Sequence, residues 1–313
     1  MILRMVALGS DPYGRLSWSS ALLTDEGFYI HNARNVVLFG HPRTDGWNNF
    51  LFMPLLHLVQ VAVFRLAGVG AVQARSISVT LGLFSLVIFY AALRRALGTK
   101  VAAIATMFLA LDHVYLLYNR MALLDTPAAF LLICVFYAFG RALSDSRGTR
   151  ETLWLVACGA LLGCALLTRG LAIFMLPAPF FGISLYRQSG EGWKRCFKQA
   201  VWIVFGLTVV AVGYLQSWYL PNRAEIKHAN HYYFYNQLAP GSLRHLLLNV
   251  EHAAVGDDRG MSPYMFRHSP VLFTLALMAL SSGAWTAPGK GMNRAAARNC
   301  IYLWWWLLSA WCV

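Results

Sequence analysis

The sequence predicts an all-α fold: a polytopic transmembrane helix bundle of about eight spans, with a juxtamembrane-helix region on its exoplasmic side. Three observations carry this. The chain is 58% hydrophobic and only 12% charged, with a mean hydropathy of +0.52, where a soluble domain carries about 25% charge. Its apolar residues gather into long runs separated by short polar connections. Its basic residues fall in those connections, so the net charge of +13 reads as membrane orientation rather than nucleic-acid contact.

Taken in order, residues 1–9 are apolar but too few to span a bilayer, and they lack the features of a signal peptide. The stretch from Leu22 to Tyr29 then places two adjacent carboxylates, Asp25 and Glu26, in a chain otherwise poor in charge. The run Phe50–Leu66 contains Pro54, His57, Gln60 and Arg65. Its wetter face, at helical spacing, fits a helix lying along the membrane surface, although it could also span. The spanning candidates are Ala71–Leu93, Val101–Leu117, Ala122–Gly140, Leu153–Leu167, Leu171–Tyr186, Ala200–Trp218, Val271–Trp285 and Ile301–Val313. Several are shorter than the ~20 residues a crossing needs, so their ends must extend into flanking sequence. Pro177 and Pro179 are expected to kink the fifth.

Alternating these spans puts Arg94, Arg95, Lys100, Arg141, Arg147, Arg150, Arg187, Lys194, Arg195, Lys198, Lys290, Arg294 and Arg298 on one side. That is 13 of the 26 basic residues, against three acids, Asp145, Glu151 and Glu191. The positive-inside rule makes this side cytoplasmic. The opposite side receives Tyr118–Met121, Thr168–Gly170 and the long loop Tyr219–Ser269. If 50–66 lies on the surface, residues 1–49 join them, and Asp25, Glu26 and Asp125 can meet. The organisation expected is an exoplasmic region with the acidic pair (1–70), a transmembrane catalytic core (71–218), an exoplasmic loop (219–269) and C-terminal transmembrane helices (270–313).

Each polar constellation admits two readings. An adjacent Asp25-Glu26 pair can send one carboxylate into a pocket while its neighbour orients it. It can equally belong to the start of a juxtamembrane helix over Gly27–Phe39, with Thr24 ahead of it. In Tyr118–Pro127, a carboxylate at the edge of a membrane segment points to function, or Arg120 and Asp125 tether a tight connection. Asp112-His113 reads as a satisfied pair at a helix end. Arg169 could snorkel to headgroups or bind a lipid phosphate. His228 and His231, set among aromatics, read as an interfacial belt, although Arg223 and Lys227 nearby could contact an anionic headgroup. Among the six cysteines none shows paired zinc-site spacing, and no metal or cofactor is assigned.

Thr24-Asp25-Glu26, then His31-Asn32-Ala33-Arg34, then Pro54 opening an apolar run, then Asn119-Arg120-Met121-Ala122-Leu123-Leu124-Asp125-Thr126-Pro127 resembles the protein O-mannosyltransferase-like glycosyltransferases. These belong to the C-type membrane superfamily and include the aminoarabinose and galacturonic acid transferases of lipid A. The pattern covers roughly residues 10–190. It implies inverting transfer of a sugar from a polyprenyl- or dolichyl-phosphate donor to an acceptor hydroxyl at the outer face of the membrane, by a protein of the bacterial inner membrane. By position, Asp25 would be the base, with Glu26 beside it and Asp125 the second acid of the pocket. Arg120 would sit by the donor phosphate. An acid–lysine pair precedes the proline in the lipid A branch, and Phe52-Met53 stand here instead. That argues against aminoarabinose and leaves the phosphate to Arg120, Arg169 or Lys227. The family's first transmembrane helix, expected before Asp25, is missing from the sequence, and Ile301–Val313 stops inside an apolar run. The partners implied are the lipid-linked donor, membrane lipids and an acceptor of unassigned class. The competing readings are a non-enzymatic transporter or flippase, which would carry its acids mid-helix, and an inactive truncated copy.

Overall fold

The computed structural model describes residues 2–6, 8–9, 22–42, 49–144, 148–187 and 192–227. All regular structure among them is helical. Helix α1 (Ile2–Met5) is a single turn. Helix α2 (Leu22–Phe39) begins upstream of the expected Gly27 start, so Asp25 and Glu26 lie within it. Next come α3 (Asn49–Phe52) and α4 (Pro54–Ala67), broken at Met53 because Pro54 opens the second helix at a position where its missing N–H costs nothing. At 14 residues α4 is about 21 Å long, short of a hydrocarbon core of ~30 Å. It buries His57, Gln60, Val61 and Phe64 and exposes Leu58, Val59 and Leu66.

The bundle follows. It comprises α5 (Ala71–Leu97), α6 (Thr99–Leu111), α7 (His113–Asn119), α8 (Asp125–Ser144), α9 (Thr149–Thr168), a 3-10 segment (Gly170–Met175), α10 (Pro177–Arg187) and α11 (Trp193–Tyr214), which runs into a π turn (Leu215–Tyr219). Among the described residues four helices are long and apolar enough to cross a membrane: α5, α8, α9 and α11 with its π turn. The second predicted span is bent by 65° between α6 and α7 and makes a fifth only if that pair is one broken crossing. The fifth predicted span is a 3-10 segment followed by a helix that restarts at Pro177. The last two candidates, Val271–Trp285 and Ile301–Val313, lie outside the described residues, as do His228 and His231.

Packing runs in the order α5–α8–α9–α11. The main core gathers Leu132, Val135 and Phe139 of α8, Leu155, Cys158 and Leu162 of α9, and Ile203 of α11. Where α9 meets α11 the backbones touch. A Cβ at Gly159 would strike the carbonyl of Ile203, and one at Gly206 would strike that of Val156. With Gly163, Gly159 forms a small-x3-small stripe, which lets transmembrane helices approach closely. Because successive helices reverse direction, the chain has two ends. One holds the start of α5, the α7–α8 corner, the α9–3-10 junction and the end of α11. The other holds Arg94, Arg95, Lys100, Arg141, Arg150, Arg187, Lys194, Arg195 and Lys198.

Candidate active site

The acids converge at the first of these ends. Glu26 is buried, at 4% exposure, and both of its oxygens are committed. Arg75 donates from Nε to Oε1 at 2.7 Å and from Nη2 to Oε2 at 2.6 Å. The backbone N–H of Ala122 donates to Oε1 at 2.8 Å. A fork–fork pair of this kind carries geometric specificity as well as energy. It joins three parts distant in sequence: α2, the first turns of α5, and the corner Met121–Leu124, all four of whose residues are buried. A cation near a helix N-terminus opposes the helix dipole, so Arg75 needs a carboxylate partner. That requirement is the sequence signal for Arg75 inside the apolar run Ala71–Leu93. Its remaining Nη1 donates to the carbonyl of Leu8 at 2.8 Å.

Asp125 opens α8 and Arg169 caps the end of α9, each where the helix dipole favours its charge. The two form an ion pair, both partly exposed at 29% and 21%. Asp125 is thus tied to Arg169 across two helices, and the alternative reading, a tether to Arg120, is not what the structure contains. Arg120 instead donates from Nη2 to the carbonyl of Val6 at 2.7 Å. Asp125 lies three residues beyond Ala122, and Glu26 holds that corner. The structure therefore brings the helix carrying Asp25 to the same end as Asp125, Arg120 and Arg169. Of Asp25 the structure describes the backbone only. Lys227 is exposed in the last described turn, and no hydrogen bond or ion pair joins it to this group among the described residues. Asp112 lies at the bend before α7, where its carboxylate accepts from the N–H of Tyr115 at 2.8 Å as an N-cap.

A second layer braces the mouth. His57 is fully buried, with Nδ1 facing Gln60 Oε1 at 3.1 Å. Burial drives its pKa down to about 4, against smaller upward contributions from Gln60 and the Tyr29 backbone and a small downward one from His31. The ring is therefore neutral at pH 7, and with Gln60 Oε1 as acceptor the proton sits on Nδ1. Phe50 meets His57 edge-on at 5.4 Å and Trp218 at 4.8 Å. Trp218 Nε1 donates to the carbonyl of Leu51 at 3.1 Å. The π turn at the end of α11, a device frequent at functional sites, is in this way stapled to α3. No group of three or more His, Cys, Asp or Glu that could hold a metal occurs among the described residues.

Comparison with known proteins agrees with this architecture. The family model "Dolichyl-phosphate-mannose-protein mannosyltransferase" matches residues 52–218, just over half of the chain. An uncharacterized protein of Aquifex aeolicus (strain VF5) is 26% identical over 167 residues, which make up 52% of this chain and 33% of that protein. The crystal structure of ArnT from Cupriavidus metallidurans in the apo state superposes with a TM-score of 0.56 at 22% identity, covering 92% of this chain and 54% of that one. The same protein bound to undecaprenyl phosphate gives a TM-score of 0.59 at 21% identity, covering 99% and 58%. The chain thus spans less than two thirds of the length of each of these relatives. It belongs to the dolichyl-phosphate-mannose-protein mannosyltransferase family, and it is an integral membrane protein with the helical-bundle fold seen in ArnT.

Proposed function

We propose that this protein is a glycosyltransferase that moves a sugar from a polyprenyl- or dolichyl-phosphate donor to an acceptor hydroxyl, with inversion, at the outer face of the membrane. The observation that carries the reading is the latch of Glu26 to Arg75 and the Ala122 N–H, which commits the Asp25 helix and the Asp125 corner to one end of the bundle. Two features support the orientation and the donor. The opposite end is strongly basic, as a cytoplasmic face is, and a structural neighbour carries undecaprenyl phosphate.

In this reading Asp25 removes the proton from the acceptor hydroxyl as its oxygen attacks the anomeric carbon. The bond from that carbon to the phosphate oxygen breaks on the opposite side, and the lipid phosphate leaves with both electrons. Fixed cations stabilise the charge it gains, and they act strongly in a site from which water is excluded. Arg169, held by Asp125 until a phosphate arrives, and Arg120 serve in this role. Lys227, a flexible ammonium at the rim, suits a phosphate that arrives and departs. Asp125 is the second acid of the pocket and holds Arg169 in place. Glu26 accepts three hydrogen bonds inside a buried ion pair, so its part is to position its neighbour. In this reading the catalytic core is residues 71–218, 1–70 supply the acidic pair, and 219–269 are an exoplasmic loop.

The test is to incubate membranes containing the full chain with radiolabelled polyprenyl-phosphate sugars and follow the label into product. Asp25→Asn is expected to lower transfer by roughly 10²–10⁴-fold with insertion and expression unchanged. Full activity in that variant would remove Asp25 from the mechanism. Movement of label across the membrane with no glycosidic product would replace an enzyme with a transporter.

A further inference from the structure

At the basic end, away from the acids, a cavity of about 500 Å³ opens between the first turns of α9 and α11, lined among others by Glu151, Thr152, Arg195, Lys198, Gln199 and Trp202. Its polar groups do not close among themselves. Glu151 accepts from Gln199 Nε2 at 2.7 Å and from Arg195 Nη2 at 3.3 and 3.4 Å. Gln199 is 97% buried, yet its Oε1 has no partner, and neither has the buried indole N–H of Trp202. Lys198 is exposed and makes no ion pair among the described residues. Among the described residues the cavity therefore offers an orphan acceptor, an orphan donor and the ammonium of Lys198.

One ligand satisfies all of these. A phosphodiester takes the N–H of Trp202 and the charge of Lys198. A hydroxyl near that phosphate donates to Gln199 Oε1. A single negative charge balances the excess cation, whereas an ammonium in the same place would face Arg195 and Lys198. The surroundings decide between a soluble phosphodiester and a lipid. Phe197, Val201, Val204 and Phe205 of α11 are exposed and run from the level of Lys198 toward the middle of the helix. They form an apolar track along which acyl chains can lie. The cavity also sits at the end of two crossings, where a bilayer carries its phosphates.

We propose that this cavity binds an anionic glycerophospholipid with a hydroxyl-bearing headgroup, of the phosphatidylglycerol class. The site lies at the opposite end from the proposed active site and does not depend on the activity proposed above.

The experiment is native mass spectrometry on the full chain, purified in detergent and offered an equimolar mixture of phosphatidylglycerol, phosphatidylethanolamine and phosphatidylcholine with matched acyl chains. The expected result is preferential retention of phosphatidylglycerol. Lys198→Gln, a change at an exposed position, should lower that retention about fivefold. Gln199→Leu should lower it as well and shift the headgroup preference. Water-soluble glycerophosphoglycerol at the same concentration should not displace the lipid. Equal retention of the three lipids, a preference for phosphatidylethanolamine, or a phosphatidylglycerol preference untouched by both variants would each overturn the proposal. Displacement by glycerophosphoglycerol would overturn the assignment to a lipid.

Discussion

Three contacts around one carboxylate decide how the mouth of this bundle is built. Glu26 neutralises Arg75 and accepts the Ala122 N–H inside a buried contact. Removing one partner of such a pair strands the other charge away from water, which costs about 3–5 kcal/mol. Glu26→Gln is therefore expected to lower thermal stability by that amount. Pairing it with Arg75→Met should recover most of the loss, because the stranded guanidinium is gone. Unfolding of the single and double variants measures the coupling, and additive losses would show that the pair does not act as a unit. His57 gives a second residue-scale prediction. Its pKa is pushed down to about 4 by burial, so the folded state holds it neutral while the unfolded chain protonates it below about pH 6.5. Stability from this group is complete above that value and declines as pH falls toward 4, by about 3 kcal/mol in all. His57→Gln should flatten that part of the stability–pH curve. An unchanged slope would place the acid sensitivity elsewhere.

Elements explain both what the sequence reveals and what it conceals. The positions of α5, α8, α9 and α11 are legible because hydrocarbon demands long apolar helices, and composition alone marks them. The break before α4 is legible because Pro54 announces it. The bend of 65° between α6 and α7 is not, because Val101–Leu117 is almost uninterrupted in its apolar character and Asp112 looks the same whether it caps a helix or rides within one. The pairing of Asp125 with Arg169 was equally hidden. Arg120 is the nearer cation in sequence, and only the packing of α8 against α9 shows which one is nearer in space. The role of Arg75 is hidden for a similar reason, since its partner lies in a different helix. The glycine contacts of α9 with α11 were also unseen, yet they set how closely these two helices pack. Gly206→Leu would drive a side chain into the Val156 carbonyl and must separate the helices. The expected outcome is a loss of several kcal/mol in stability, or failure to accumulate. Gly213→Leu on the same helix, where an added Cβ meets nothing within 4 Å, should be tolerated. Equal behaviour of the two in a thermal-shift assay would argue against close packing as the cause.

At the scale of the whole molecule, the two ends of the bundle differ in chemistry. One gathers the acidic helix α2, the Asp125–Arg169 pair and the Arg120 corner. The other carries the short basic connections and the cavity beside Glu151. This polarity follows from helix reversal together with the biased placement of Lys and Arg, and under the positive-inside rule it predicts the proposed direction across the membrane. The measurement that tests it most directly is side-specific labelling in sealed, right-side-out vesicles. A membrane-impermeant maleimide would be applied to a cysteine-free background carrying single replacements Thr24→Cys, Lys227→Cys, Lys100→Cys or Lys198→Cys. Positions 24 and 227 are predicted to label from outside in intact vesicles, with 100 and 198 labelling only after permeabilisation. Labelling of position 24 from the side opposite to 227 would contradict the account, because the acids would then lie at different faces of the membrane.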